Sequence, residues 1–138
     1  MRVVGLDLGG RRIGVAVSDA TGTLATPHSV VERGKDRAED HRRLADLVEE
    51  LGAEWVVVGL PLSLSGVAGP AACAADEEAR ALAGAVAVPV ETWDERLTTV
   101  SAERSLRAGG VRARDRRRVV DKVAAAVLLQ GWLDARAR

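Results

Sequence analysis

The sequence predicts an α/β fold, a mixed β-sheet with helices packed on both faces. Three observations carry that reading. Short β-branched runs come first, spaced as a meander. Strands and amphipathic helices then alternate. One later run, "EWVVVGL" at 54–60, is unbroken and apolar, as a strand covered on both faces would be.

Residues 2–8 and 12–18 are two such runs separated by "GGR", which reads as a hairpin. After the turn "DATG", residues 23–31 predict a third and weaker strand, where Pro27 is tolerated at an edge or a bulge. Residues 36–51 predict a helix with Leu44, Leu47, Val48 and Leu51 on one stripe, stopped by Gly52. After the 54–60 strand, "PLSLSGVAGP" is a loop and an Ala-rich helix spans about 70–85. The next strand is "VAVPVETWDE" at 86–95. A helix over 98–108, a break at "GGVRA" and a final helix over about 117–136 complete the order. With 138 residues and no repeat or linker, the chain reads as one domain, 1–138.

Composition narrows the function classes. Lys+Arg and Asp+Glu both total 20, so net charge argues for no partner by itself. Three Trp with no Phe or Tyr leave little for an aromatic base-stacking platform. A single cysteine, Cys73, excludes an internal disulfide and a multi-cysteine zinc site, which suits a reducing cytoplasm, and reads as a packing residue. No charged leader precedes an apolar stretch and no run reaches the roughly 20 apolar residues of a membrane span. The expectation is a cytoplasmic protein with no membrane partner.

Asp7 is the residue out of place, a carboxylate between Leu6 and Leu8 in the first strand. Two other acids sit in comparable settings. The strand "VAVPVETWDE" runs into Asp94 and Glu95, and Asp121 lies one turn before Ala124, Ala125, Leu128 and Trp132 on the last helix's apolar stripe. If that helix lies on the sheet, Asp7, Glu95 and Asp121 could converge at one sheet edge. Clustered carboxylates repel and resist desolvation, and hard divalent cations relieve both problems. Such ions also assist phosphodiester cleavage. The ordinary alternatives are a strand-end acid at 7, a surface acid at 95 and a helix cap at 121.

The segments "GLDLGGRRIGVAVSD", "VVGLPLSLSG", "DERLTT" and "DKVAAAVLLQGWLD" follow in that order over nearly the whole chain. Together they resemble the YqgF/RuvX family, pre-16S rRNA nucleases with a Holliday-junction-resolvase-like, ribonuclease H-like fold. The resemblance implies a five-stranded mixed sheet in the order 3-2-1-4-5, flanked by helices. It also implies that Asp7, Glu95 and Asp121 are the catalytic acids and bind Mg²⁺ or Mn²⁺, with Asp94 the alternate to Glu95. The implied activity is endonucleolytic processing of structured RNA, the 5′ end of precursor 16S rRNA in a ribosomal precursor particle. Two departures stand out: Gly10 replaces a small hydroxyl residue, and Ser63 and Ser65 replace the Asn and Asp of the common "PLNMDG" form.

Arg11 and Arg12 follow the Asp7 strand and Arg96 follows Glu95, where guanidinium groups could hold phosphate. "VRARDRRRVVDK" at 111–122 concentrates five arginines, Arg116, Arg117 and Arg118 among them, and reads as an electrostatic guide for a polyanion or as a solvated mobile loop. His28 and His41 are isolated, with His41 on a polar helix face, and Trp55, Trp93 and Trp132 read as core or partial core. Thr98 is expected to cap a helix.

Competing classes are a Holliday junction resolvase acting on branched DNA, a non-catalytic ribosome-assembly factor, and a sugar-kinase or actin-like fragment suggested by "DLGG". The last needs a second domain that 138 residues cannot supply. A homodimer would suit cleavage of a two-stranded junction, whereas a monomer suffices for single-strand RNA.

Overall fold

The computed structural model describes residues 1–61, 69–94 and 113–137, and the backbone alone over 113–119. Strands β1 (Val3–Leu8) and β2 (Arg12–Ser18) form the antiparallel hairpin, and β3 (Ala25–Glu32) adds to β2 in the same sense. Helix α1 (Arg37–Glu50) crosses to β4 (Trp55–Leu60), parallel to β1. Helix α2 (Pro70–Ala83) leads to β5 (Val90–Asp94), parallel to β4, and helix α3 (Ala113–Arg136) comes last. The sheet order β3-β2-β1-β4-β5 is the one the family resemblance implies.

Element boundaries shift for local reasons. β3 begins at Ala25 because the Asp19 carboxylate takes the backbone N–H groups of Thr23 and Leu24, at 2.7 and 3.2 Å. With Thr21 also donating to it, that carboxyl is held down at a pKa of about 2. Pro27 lies both at the edge and beside a bulge: Val15 and Ala16 oppose Ser29 and Pro27, which leaves His28 as the extra residue. α1 is capped by Asp36, whose side chain accepts from the Glu39 N–H, and is followed by Gly52 at φ +66°. β5 starts at Val90, four residues later than expected, because Pro89 has no N–H to give the ladder. The helix expected at 98–108, with Thr98, and the loop serines Ser63 and Ser65 lie outside the described residues.

The sheet separates two cores. Val4, Leu6, Ile13, Val15, Val56 and Val58 face α1 and α2, where Leu44, Val48, Ala79 and Leu82 meet them. Val3, Ala16 and Val57 face α3 and meet Ala125, Leu128, Leu129 and Trp132. The period-2 alternation of the strands thus assigns each residue of β1 and β2 to a face. Trp132 is buried, while Trp55 and Trp93 pack half-buried against the same cluster. Cys73 is a correction: it is exposed, because the buried stripe of α2 runs through Ala72, Ala75, Ala79 and Leu82 and passes it by. No helix among the described residues is long and apolar enough to cross a membrane.

Candidate functional site

On β1 the α3-facing positions are Val3, Gly5 and Asp7, so alternation sends the Asp7 side chain toward α3 from the last turn of the strand. Two glycines let α3 come close. A Cβ at Gly5 would lie 2.8 Å from the Leu129 Cβ and 3.1 Å from the Ala125 carbonyl oxygen. A Cβ at Gly14 would lie 1.9 Å from the Asp121 carbonyl oxygen, so at Gly14 helix backbone rests on strand backbone. Gly14 is the cross-strand partner of Asp7. One turn of helix, from Ala125 over Gly5 to Asp121 over Gly14, thus brings the Asp121 segment against the pair that contains Asp7.

Asp121 is half-buried and faces β2, as its stripe predicts. Its Oδ2 accepts a 2.8 Å hydrogen bond from Arg12 Nε. That bond, with the attraction of the Asp121 charge, raises the Arg12 pKa above its ordinary value. Asp121 thus meets a cation from the neighbouring strand. Arg12 sits two residues before Gly14 on the same face, and so at the end of the sheet where Asp7 and Asp121 lie. Arg11 is exposed.

The turn between Asp7 and Arg12 is tightly held. Gly9 N–H donates to the carbonyls of Asp7 (3.1 Å) and Arg12 (2.9 Å), and a Cβ at Gly9 would stand 2.5 Å from the Arg12 carbonyl. Arg33 grips it from outside: its backbone N–H donates to the Arg11 carbonyl at 3.0 Å and its Nε to the Gly9 carbonyl at 2.8 Å. The Arg33 guanidinium is itself bidentate on Glu78, at 2.8 and 2.9 Å, and reaches Asp40 at 3.3 Å. His41 Nε2 lies 2.9 Å from Glu78 Oε2.

Asp40, His41 and Glu78 are all at most 5% exposed, which overturns the reading of His41 on a polar helix face. Burial pushes the Glu78 pKa up, but Arg33 and His41 outweigh it and leave the carboxyl below its usual range. Sequence reasoning missed this cluster although a signal existed. Glu78 falls on the buried stripe between Ala75 and Leu82, and His41 stands three and seven positions before Leu44 and Val48.

The remaining expected site residues are distributed as follows. Asp94 closes β5 one residue after Trp93, which packs on the α3 side, so alternation turns Asp94 to the opposite face. Glu95 and Arg96 lie outside the described residues. Arg116, Arg117 and Arg118 fall within α3, which starts at Ala113 rather than near 117, and their side chains also lie outside the description. The segment carrying them is helix, not loop. Among the described residues no three of His, Cys, Asp and Glu gather as a metal-binding group. Asp7 and Asp121 supply carboxylate oxygens, the donor type that Mg²⁺ and Mn²⁺ take, and suit such an ion as part of a larger set.

Comparison with known proteins agrees with this architecture. The family described as "RuvX: Holliday junction resolvase" matches residues 1–135. A protein of Mycobacterium sp. (strain KMS), named "Putative pre-16S rRNA nuclease", is 55% identical over 136 residues, covering 98% of this chain and 80% of the relative. A Rhodococcus opacus (strain B4) protein of the same name is 53% identical over 141 residues, covering 99% and 79%. Among solved structures, Thermus thermophilus RuvC in complex with a Holliday junction substrate superposes with a TM-score of 0.63. It is 19% identical, with 99% of this chain and 96% of that one covered, a likeness of fold. By sequence over nearly its full length, and with the sheet order that the resemblance implied, the chain belongs to the RuvX (YqgF) family.

Proposed function

We propose that the protein is a divalent-metal-dependent endonuclease that cleaves structured RNA, the 5′ end of precursor 16S rRNA in a cytoplasmic ribosomal precursor particle. Asp7, Glu95 and Asp121 are its catalytic and metal-binding acids. The observation that carries the reading is the seat of the Asp121 backbone on Gly14, the cross-strand partner of Asp7. Of the two glycines under α3, it is Gly14, the one beside Asp7, on which the helix backbone rests most closely. We assign the third carboxylate to Glu95 over Asp94 because Asp94 projects to the face away from α3.

A bound Mg²⁺ or Mn²⁺ would neutralise charge on the scissile phosphate and acidify the attacking water. The chain's own part is to orient. Strand β1 gives Asp7 a rigid base, α3 holds Asp121 through its backbone, and Arg12 fixes the Asp121 carboxylate and offers positive charge to phosphate. Arg11 and Arg96 add phosphate contacts beside the acids. Arg117 and Arg118 precede Asp121 by four and three positions on one helix and extend the basic path for the polyanion.

The test is Asp7→Asn assayed on a precursor rRNA and, in parallel, on a Holliday junction. Cleavage of the RNA should vanish while RNA binding persists. Thermal stability should no longer rise with Mg²⁺ or Mn²⁺. Because Arg12 already neutralises Asp121, the metal-free stability should change little. Cleavage at the normal rate would overturn the nuclease reading, and wild-type cleavage confined to the junction would move the substrate to branched DNA.

A further inference from the structure

The Arg33–Glu78–His41–Asp40 cluster lies outside the acidic site, yet its central residue reaches directly into the turn that builds that site. A latch between α1 and α2 would need only the carboxylate contacts of Arg33. Arg33 does more. Its Nε and its backbone N–H both donate to the 9–12 turn, at the carbonyls of Gly9 and Arg11. These two carbonyls bracket Gly10, on the short link between Asp7 and Arg12. Glu78 holds the guanidinium plane bidentately, which leaves Nε one direction in which to donate. His41 and the Gly34 N–H, which donates to Asp40 Oδ1 at 2.7 Å, hold the two acids in turn.

We infer that Arg33 is the positioning residue of the candidate site. It clamps the 9–12 turn so that Arg12 meets Asp121, and the buried Glu78 and His41 hold Arg33 for that task. The line of contacts runs from α2 through Glu78 to Arg33, through Arg33 to the Gly9 and Arg11 carbonyls, and through the turn to Arg12 and Asp121. It crosses the sheet from the α1/α2 side to the α3 side at the end of β1. A guanidinium is the group this needs. Its planar fork takes a carboxylate bidentately while Nε donates elsewhere, which a lysine ammonium cannot reproduce in one geometry.

The inference rests on the reading of Arg12 and Asp121 as site residues, so its test includes a readout that needs no cleavage. Arg33→Gln and Arg33→Lys would be compared with the wild-type chain by thermal unfolding, by NMR of the Gly9–Arg12 amides and of the Arg12 Nε–H, and by RNA cleavage. Arg33→Lys keeps a charge on Glu78 and should recover much of the stability lost in Arg33→Gln. Neither variant should restore the turn amides or the slow solvent exchange of the Arg12 Nε–H. Turnover at saturating RNA should fall in both, by up to roughly 100-fold for a displacement on the order of 1 Å.

Unchanged turn amides and an unchanged Arg12 Nε–H in the folded variants would overturn the proposal. So would a recovery of stability and turn signals in parallel in Arg33→Lys, the mark of a structural latch. Where Arg33→Gln is too unstable to record, Arg33→Lys decides. If the NMR signals move as expected but wild-type protein never cleaves RNA, the positioning stands and the nuclease reading fails.

Discussion

Gly14→Ala changes no chemistry-bearing side chain and should nevertheless damage the candidate site. The new Cβ would stand 1.9 Å from the Asp121 carbonyl oxygen, and ordinary contact begins near 3.4 Å. The start of α3 would therefore have to withdraw by about 1.5 Å, because the obstacle is backbone and cannot rotate away. That movement also carries Asp121 away from Arg12, whose 2.8 Å bond does not survive a separation of that size. Overpacking of this kind costs about 1–3 kcal/mol, and a backbone obstacle belongs at the upper end. For a chain of this length that is a fall in Tm of about 10 °C. Gly10→Ala is the control, since nothing lies within 4 Å of its Cβ and its stability should match wild type. Thermal unfolding measures the first quantity, and RNA cleavage well below the variant's Tm measures the second. A Gly14→Ala protein within about 0.5 kcal/mol of wild type and fully active would refute the argument that this contact builds the site.

Glu78→Gln should destabilise by about 3–5 kcal/mol, because it leaves the Arg33 charge without its bidentate partner; a loss under about 1 kcal/mol in denaturant titrations would contradict this. The Glu78 carboxyl is held below its usual range when folded, so its contribution is complete above the unfolded value of about 4.3 and is lost as pH falls through the folded value. Wild-type stability should therefore drop more steeply below about pH 4.3 than that of Glu78→Gln, read by acid titration of Tm. Replacing Arg116, Arg117 and Arg118 together by Gln should weaken binding of unrelated RNA sequences and reduce the salt slope of log K by up to about 3; an unchanged slope would show that they do not meet phosphate. Amide exchange should be slowest in 3–8 and 55–59, the strands at the sheet centre where Val3 and Val57 are fully buried, and fast exchange there would contradict the core described.

What could be read from the sequence depended on whether the signal was local. β-Branched runs marked β1 and β2, an unbroken apolar run marked β4, and the stripe through Leu44 and Val48 marked α1, since each pattern is complete within its own segment. Asp7 was legible because an acid in an apolar strand is a local contradiction, and Asp121 because it extends an alanine-rich stripe. The Arg12–Asp121 pair joins residues 109 positions apart, and nothing local distinguishes Arg12 from a solvated turn arginine. Glu78 carries the same contradiction as Asp7, an acid on a buried stripe, but "ADEEAR" surrounds it with charges that belong on a surface. The partner that reverses this, Arg33, comes from another element, 45 positions away. β5 read four residues too long because "VAVPV" alternates correctly, whereas residues 86–88 bend away, Val86 bonding back to Leu82 at the end of α2, and Pro89 has no N–H for the ladder.

The sheet's two faces are also separated in time. Synthesis runs from the N-terminus, and domains begin to fold as they emerge. By Asp94 all five strands and the α1/α2 side have been made, while Val3, Ala16 and Val57 still lack the helix that covers them. α3 is made after every other described element and brings both that cover and Asp121. Until it docks, Arg12 has only Glu32 of β3 beside it in place of Asp121, and Asp7 stands without its facing helix. Among the described elements, the candidate site is therefore the part of the fold whose assembly waits longest, because it needs a helix that follows every strand in the chain.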